Sequence, residues 1–394
     1  MISDGIAQPH PLTVSERPAF ETLVNPVTVV DLFSGCGGLS LGVAQAAHDL
    51  ERGLDVRLAV EFDQSPADVY RSNFPKARAV TVADITTLFS AELDKPLSEI
   101  EKELRSSVGK LDVLVGGPPC QGHSNLNNHT RREDPKNGLY VTMARAAFVF
   151  SPDVIVVENV PAVLNDKYKG MNAVAVVRGR LKALGYEVDD RIVPLHELGV
   201  PQTRKRHILL ATRAGMKKPG EIFEQLATGI MPTVDLAWAI GDLAKTVSEG
   251  LFDRAPTPSA DNIKRMQYLL AEGEYDLPNR LRPKCHQGEH SYKSMYGRLK
   301  WSQPAQTITS GFGSIGQGRY MHPDLPRALT PHEAARIQGF PDYFVFSKAT
   351  TRTALATMIG NAVPPQLARR LLLEILQPAR DLESQQRIQG ASRQ

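Results

Sequence analysis

Residues 27–42 read VTVVDLFSGCGGLSLG. A β-branched, apolar run leads to Asp31, a glycine-rich turn follows, and a helical pattern opens at Leu39. A strand that ends in glycines and hands over to a helix is the opening unit of an open α/β sheet. Its turn lets the backbone come close to a ligand at the strand's carboxyl end. The turn does not match G-x-G-x-x-G, and no Lys-Ser/Thr pair follows it, so a phosphate is disfavoured as its ligand.

The same rhythm runs outward from this stretch. Strands are expected over 27–33, 56–62, 111–115, 154–158 and 207–211, and helices over 39–50, 66–74, 140–149 and 173–184. Strands alternating with helices predict an α/β fold with a doubly wound, mostly parallel sheet. Residues 88–110 read as an exposed amphipathic helix inserted between two strands. After about residue 230 the βα rhythm stops, and 231–351 is expected to form a second, smaller domain. Thr330-Pro331-His332-Glu333 combines an N-cap, a first-turn proline and a capping-box glutamate, so a helix starts there and stops near Gly339. A last helix runs from near Pro364 to about Leu376 and returns to the large domain, which is therefore 27–230 completed by 352–378. Residues 1–26 read as a loose polar arm and 379–394 as a disordered tail.

Composition narrows the class. With 42% hydrophobic and 23% charged residues the 394-residue chain suits a globular protein. No apolar run is long enough to span a bilayer. Three scattered cysteines do not make a disulfide framework and suit a reducing, cytoplasmic setting. A net charge of +3 does not announce a nucleic-acid partner, so any such partner must be read from local charge.

Acids and a cysteine fall at the strand ends. Glu61 is placed as a carboxylate that holds ribose hydroxyls, Asp84 as an acceptor for an adenine amino group, and Phe33 as a ring to stack on adenine. Together they point to a nucleoside cofactor without a pyrophosphate. Gly116-Gly-Pro-Pro-Cys-Gln-Gly-His-Ser124 follows a strand, and two prolines stiffen the backbone before Cys120, where a nucleophile belongs. Residues 121–139 read as a lid over the substrate. Glu158 ends an apolar strand, which suits a group that holds or donates a proton. Arg204 and Arg206 alternate onto one side and suit a carboxylate, a base carbonyl or a phosphate.

In this order, DLFSGCGGLSLG (31–42), Glu61 with Asp63, Asp84-Ile85, GGPPCQGHS (116–124), ENV (158–160), QTRKR (202–206), RALTPHEAARIQGFPD (327–342) and GNAVPPQLA (360–368) resemble the cytosine carbon-5 DNA methyltransferases of the bacterial type. The resemblance implies a Rossmann-like domain that binds S-adenosylmethionine, a smaller target-recognition domain, and duplex DNA between them. It implies Cys120 as the nucleophile, Glu158 on the cytosine ring nitrogen and amine, Arg206 on the pyrimidine carbonyl, and Arg204 in support. It places Asp31, Phe33, Gly35, Cys36, Gly38, Leu39, Glu61, Phe62, Asp84, Ile85, Pro118, Leu139, Asn361, Ala362 and Val363 around the cofactor. Departures from the family pattern are His123 where Phe is common, Ala362 where Ser is frequent, and Phe62 at a position that can be Trp.

DNA contacts are expected from Gln121, Ser124, Asn125, Arg131 and Arg132 in the cysteine loop. Others are expected from Lys293, Arg298 and Lys300 in the basic strip 280–300, and from Gly311 in a loop facing the DNA. No metal is expected: Cys285, His286 and His290 fall short of a four-ligand site. A monomer is expected, serving a restriction–modification or phage-defence system. Two other readings are a tRNA-methylating relative, which would share every catalytic motif, and a non-enzymatic DNA-binding relative. The intact Cys120, Glu158, Arg204 and Arg206 speak against the second.

Overall fold

The computed structural model describes residues 10–90, 92–119, 137–245, 250–287 and 294–377. Within them a seven-stranded sheet forms from β1 (Val27–Leu32), β2 (Leu54–Glu61), β3 (Val80–Val82), β4 (Val113–Gly116), β5 (Val154–Asn159), β6 (Tyr186–Pro194) and β7 (Lys205–Arg213). The spatial order is β3-β2-β1-β4-β5-β7-β6. The first five strands are parallel, while β7 runs antiparallel to both β5 and β6. The chain reverses its direction of winding between β1 and β4. Ligands gather at such a switch point, beyond the carboxyl ends of the strands.

Helices cover both faces. One apolar cluster unites α1 (Gly38–Asp49), α2 (Gln64–Asn73), α6 (Pro219–Thr228) and α10 (Pro365–Leu376) with one face of the sheet. The other unites α4 (Asn137–Phe150) and α5 (Ala173–Ala183) with the opposite face, and Val108 of α3 (Glu99–Val108) joins it. Central strands such as β1 and β5 are buried along their whole length, which is why they read as continuous apolar runs.

One expectation is corrected. Residues 10–26 are not a loose arm: Leu12 and Phe20 are buried, and the carbonyls of Leu12 and Val14 accept from the backbone N–H groups of Asp342 and Tyr343. The exposed amphipathic helix expected within 88–110 is present as α3, in the crossover between β3 and β4. It starts at a Ser98–Glu101 capping box and buries Glu101 against α4. Strand β6 escaped the sequence reading altogether. The rest of the arm and the tail lie outside the described residues.

The region 231–351 does not close around one core. Met266 and Leu269 of α7 (Ala260–Ala271) pack with Leu277, Tyr296, Ile315, Met321 and Ala328 in a small cluster of their own. Leu236, Ala239, Ile308, Phe312, Leu329 and Phe340 instead join the core under α1. Helix α8 (Pro331–Ile337) starts on the expected Thr330–Glu333 capping box, and Gly339 turns the chain with φ +84°. It is followed by α9 (Arg352–Asn361).

Candidate active site

The glycine turn after β1 serves two purposes. Gly38 and Gly42 sit on one face of α1, and the chain after α9 lies directly against them. A Cβ on Gly38 would come within 2.2 Å of the Val363 carbonyl oxygen, and one on Gly42 within 2.1 Å of that of Pro365. These two glycines make room for protein. Gly35 differs: its φ is +53°, and no atom lies within 4 Å of where its Cβ would be. Its N–H donates to Glu61 Oε2 at 2.8 Å. The second oxygen, Oε1, accepts from the Asp63 N–H at 3.1 Å. Each oxygen keeps a further lone pair for a ligand. Burial holds the Glu61 carboxyl above its usual range, and the backbone donors at Asp63 and Gly35 work against that.

Beneath the turn, Asp31 is fully buried. Its Oδ2 accepts from Ser40 Oγ at 2.6 Å, and that hydroxyl also shares a hydrogen bond with Tyr70 at 2.7 Å. Its Oδ1 is buried without a hydrogen-bond partner. Burial pushes the Asp31 carboxyl up to about 7, against the pull of the Ser40 bonds. Phe62, at the end of β2, stands 68% exposed, while Phe33 is half-buried with φ +58°. Asp84 caps the short helix Ile85–Leu88, accepting from the Thr86 N–H and hydroxyl, and Ile85 is buried behind it. An open glycine, an exposed ring, a partly engaged carboxylate and an orphaned acidic oxygen at the carboxyl ends of β1 and β2 suit a nucleoside joined to a cationic amino acid.

Other expected cofactor residues face protein. Cys36 and Leu39 are buried in the core under α1, and burial pushes the Cys36 thiol up to about 12. Their side chains, like Gly38, add to packing, which leaves only backbone for a ligand. Leu139 packs against the other core. Asn361 ends α9 in an exposed position, with Ala362 buried behind it.

Two of the residues expected to be catalytic, Glu158 and Arg206, lie close to Gly117. A Cβ there would lie 3.3 Å from Glu158 Oε2 and 3.6 Å from Val363 Cγ2, so the strand end leading to Cys120, the end of β5 and the segment after α9 meet. Because β7 is antiparallel to β5, its start lies at the carboxyl end of the parallel strands; His207 pairs with Asn159. This brings Arg206 Nε to 2.6 Å from Glu158 Oε1, in a pair that is almost fully buried. Burial holds the Arg206 guanidinium below its usual value, and Glu158 counters that. Arg204 is buried too and donates to the carbonyls of Ile308 at 2.9 Å and Gly360 at 3.2 Å. Burial brings its guanidinium down to about 9. It ties β7 to Ile308 and to the end of α9.

Two positioning residues were missed. Asn159 Nδ2 donates to the Pro118 carbonyl at 3.1 Å and so ties ENV to the cysteine loop. Gln202 donates to the Ile337 carbonyl and to Gln338 Oε1 at 2.7 Å, and it accepts from the Ile308 N–H. A polar side chain inside an apolar run was the available signal in the first case; for Gln202 there was none.

The expected DNA contacts fare unevenly. Arg298 spends its guanidinium inside the protein, on the Pro323 and Leu269 carbonyls and over the Tyr275 ring. Gly311 is buried, with Gln317 packed where a Cβ would go. Both therefore serve the small unit's own structure. Lys300 lines a groove of about 280 Å³ with Thr203, Gln303, Gln306 and Arg319. Cys120, Gln121, His123, Ser124, Asn125, Arg131, Arg132 and Lys293 lie outside the described residues.

Comparison with known proteins agrees with this geometry. The family model described as C-5 cytosine-specific DNA methylase matches residues 27–377. The chain is 40% identical over 366 residues to the type II methyltransferase M1.BsuMI of Bacillus subtilis, covering 93% of this chain and 84% of that one. It is 30% identical to the type II methylase M.HgiDII of Herpetosiphon aurantiacus, covering 91% and 98% of the two chains. In fold it matches the S. pombe Dnmt2 methyltransferase with a TM-score of 0.59 at 18% identity, over 89% of this chain and 98% of that one.

Proposed function

The chain belongs to the C-5 cytosine-specific DNA methylases, and on that footing we propose that this DNA (cytosine-5)-methyltransferase acts through a covalent Cys120 adduct on a cytosine turned out of a specific duplex sequence. S-adenosylmethionine would be held by Glu61, Phe33, Phe62, Asp84 and the open backbone at Gly35, with Asn361 and Val363 available for its methionine part. Bound there, it supplies an electrophilic methyl group on a sulfonium. Residues 231–351 supply target recognition.

The chemistry falls to the protein's side chains because carbon 5 of cytosine is a weak nucleophile. Glu158 holds the ring nitrogen and the exocyclic amine, and its other oxygen is fixed by Arg206. The remaining N–H groups of Arg206 suit the pyrimidine carbonyl. With the ring so polarised, the Cys120 thiolate adds at carbon 6 and electron density moves to carbon 5. Carbon 5 then takes the methyl group as its bond to the sulfonium breaks, leaving the neutral thioether S-adenosylhomocysteine; loss of the carbon-5 proton to water and expulsion of the Cys120 thiolate restore the aromatic ring. Asn159 holds the loop that presents the thiol.

The observation that carries this reading is the buried Glu158–Arg206 pair against Gly117, at the root of the cysteine loop. Duplex DNA with 5-fluorocytosine at the target blocks the final proton loss. It should trap the protein as an adduct that survives detergent, and Cys120→Ala should not be trapped. Trapping that persists in Cys120→Ala would overturn the mechanism. The relatives named as type II methyltransferases support a role beside a restriction enzyme. Bisulfite sequencing of DNA from expressing cells reads out the target sequence.

A further inference from the structure

We propose that Gln338 is a positioning residue that couples the cofactor segment after α9 to the target-recognition segment at Ile308–Ser310, so that cofactor and duplex strengthen each other's binding through a buried network of Gln338, Gln202 and Arg204. The inference rests on the DNA-methylating reading above.

Gln338 follows α8 and is fully buried. Its Nε2 donates to the Ile359 carbonyl at 2.5 Å and lies 3.4 Å from those of Gly360 and Ala362. These carbonyls close α9 and lead into Val363, in the segment given above to the methionine part of the cofactor. The Oε1 of Gln338 accepts from Gln202 Nε2 at 2.7 Å. Gln202 is fully buried too, and its Oε1 accepts from the Ile308 N–H at 3.2 Å. Arg204 Nη1 completes the circuit, donating to the Ile308 carbonyl at 2.9 Å and back to the Gly360 carbonyl at 3.2 Å.

Ile308 lies in neither a strand nor a helix. Both of its backbone polar groups are held by side chains just before β7, so its place depends on Gln202 and Arg204. Thr309 and Ser310 follow it and are exposed, inside the region proposed for target recognition. They also rest on the cofactor segment: a Cβ on Gly360 would come within 2.2 Å of the Ser310 nitrogen. The two segments thus touch and share one anchor.

Burying two glutamines adds little net stability, because their hydrogen bonds replace those made to water. What a satisfied buried network supplies is a single geometry. A cofactor seated at Asn361 and Val363 orders the turn that Gln338 grips. With that turn ordered, Ile308 is fixed as well, and a duplex laid across Thr309 and Ser310 meets a surface that costs less freedom to bind. Coupling of this kind is reciprocal.

Calorimetry of S-adenosylhomocysteine binding, without and with a saturating duplex that carries the sequence identified by bisulfite sequencing, reads the coupling as a ratio of two dissociation constants. The wild-type ratio should be roughly fivefold or more, and Gln338→Met and Gln202→Met should each bring it below about twofold. The double variant should lose no more than either single one, because both cut the same network. Melting temperatures are measured alongside, since a role in stability alone would lower them and leave the ratio in place. If Gln338→Met does not fold, Gln202→Met, which keeps the bond from Gln338 to Ile359, carries the test. A wild-type ratio near one, or variants that keep the wild-type ratio, would overturn the proposal. A wild-type protein that binds neither S-adenosylhomocysteine nor the duplex would instead overturn the reading on which it rests.

Discussion

Arg145→Leu isolates a fully buried ion pair of the large domain. Arg145 on α4 grips Glu101 on α3 with two hydrogen bonds, Nε to Oε1 at 2.8 Å and Nη2 to Oε2 at 2.6 Å, and neither side chain is exposed at all. The same guanidinium donates to the Lys95 and Pro96 carbonyls. The substitution leaves Glu101 with only the N–H groups of Ser90 and Ser98, each at 2.9 Å. An uncompensated buried charge costs about 3–5 kcal/mol. That is a large part of the ~5–15 kcal/mol that holds a domain together. At ~2–4 °C per kcal/mol the melting temperature should fall by roughly 6–20 °C. Urea unfolding of wild type, Arg145→Leu, Glu101→Leu and the double leucine variant reads the cost directly. Both single variants should be strongly destabilised and the double variant should recover most of the loss, since it buries no lone charge. A single-variant cost below ~1 kcal/mol, or a double variant as unstable as the sum of the singles, would refute the charge argument. The pH dependence follows with its sign. Burial alone would raise the Glu101 pKa, but the hydrogen bonds from Arg145, Ser90 and Ser98 outweigh it and bring it down to about 2. A depressed acid contributes stability that is present above 4.5 and lost as pH falls toward 2.

Arg206→Lys should lower kcat/KM by roughly ten- to a hundredfold, because a charge-assisted hydrogen bond of about 1.5–3 kcal/mol is lost; S-adenosylhomocysteine binding, measured by calorimetry, should be unchanged. Asn159→Ala releases the Pro118 carbonyl, so trapping on 5-fluorocytosine DNA should slow while the melting temperature moves little. Asp31 has a raised pKa, so its contribution to stability is full below 3.8 and lost as pH rises through about 7; Asp31→Asn should flatten that decline in melts at pH 5 and 8. His332 lies between Asp253 at 2.7 Å and Asp342 at 2.9 Å, and these carboxylates outweigh burial to raise its pKa. Its contribution is present below 6.5 and lost as pH rises through the raised value, and melts of His332→Gln should lack that loss.

What the sequence disclosed depended on how local its causes were. The turn at 31–42, the capping box at Thr330 and the buried strand ending in Glu158 are each specified within a few residues, and they appear as expected. The arm did not, because Leu12 and Phe20 find their partners near Leu54, Asp342 and Tyr343. Strand β6 hid because YEVDDRIVP places charge on an edge strand, where acids and arginine discourage further pairing. Arg298 looked like a phosphate ligand because its charge is visible in sequence and its carbonyl partners are not. The Glu158–Arg206 pair depends on one antiparallel strand, a reversal of direction that spacing does not record.

The glycines of α1 carry a consequence for synthesis. Gly38 and Gly42 emerge from the ribosome early, yet the backbone that fills the space above them is that of Val363 and Pro365. Until translation has passed those residues, the glycine face of α1 stays uncovered and the core under it lacks Leu367, Leu371 and Leu372. A chain that stops short of Val363 therefore cannot complete the packing at the carboxyl end of β1, however well its earlier strands have paired.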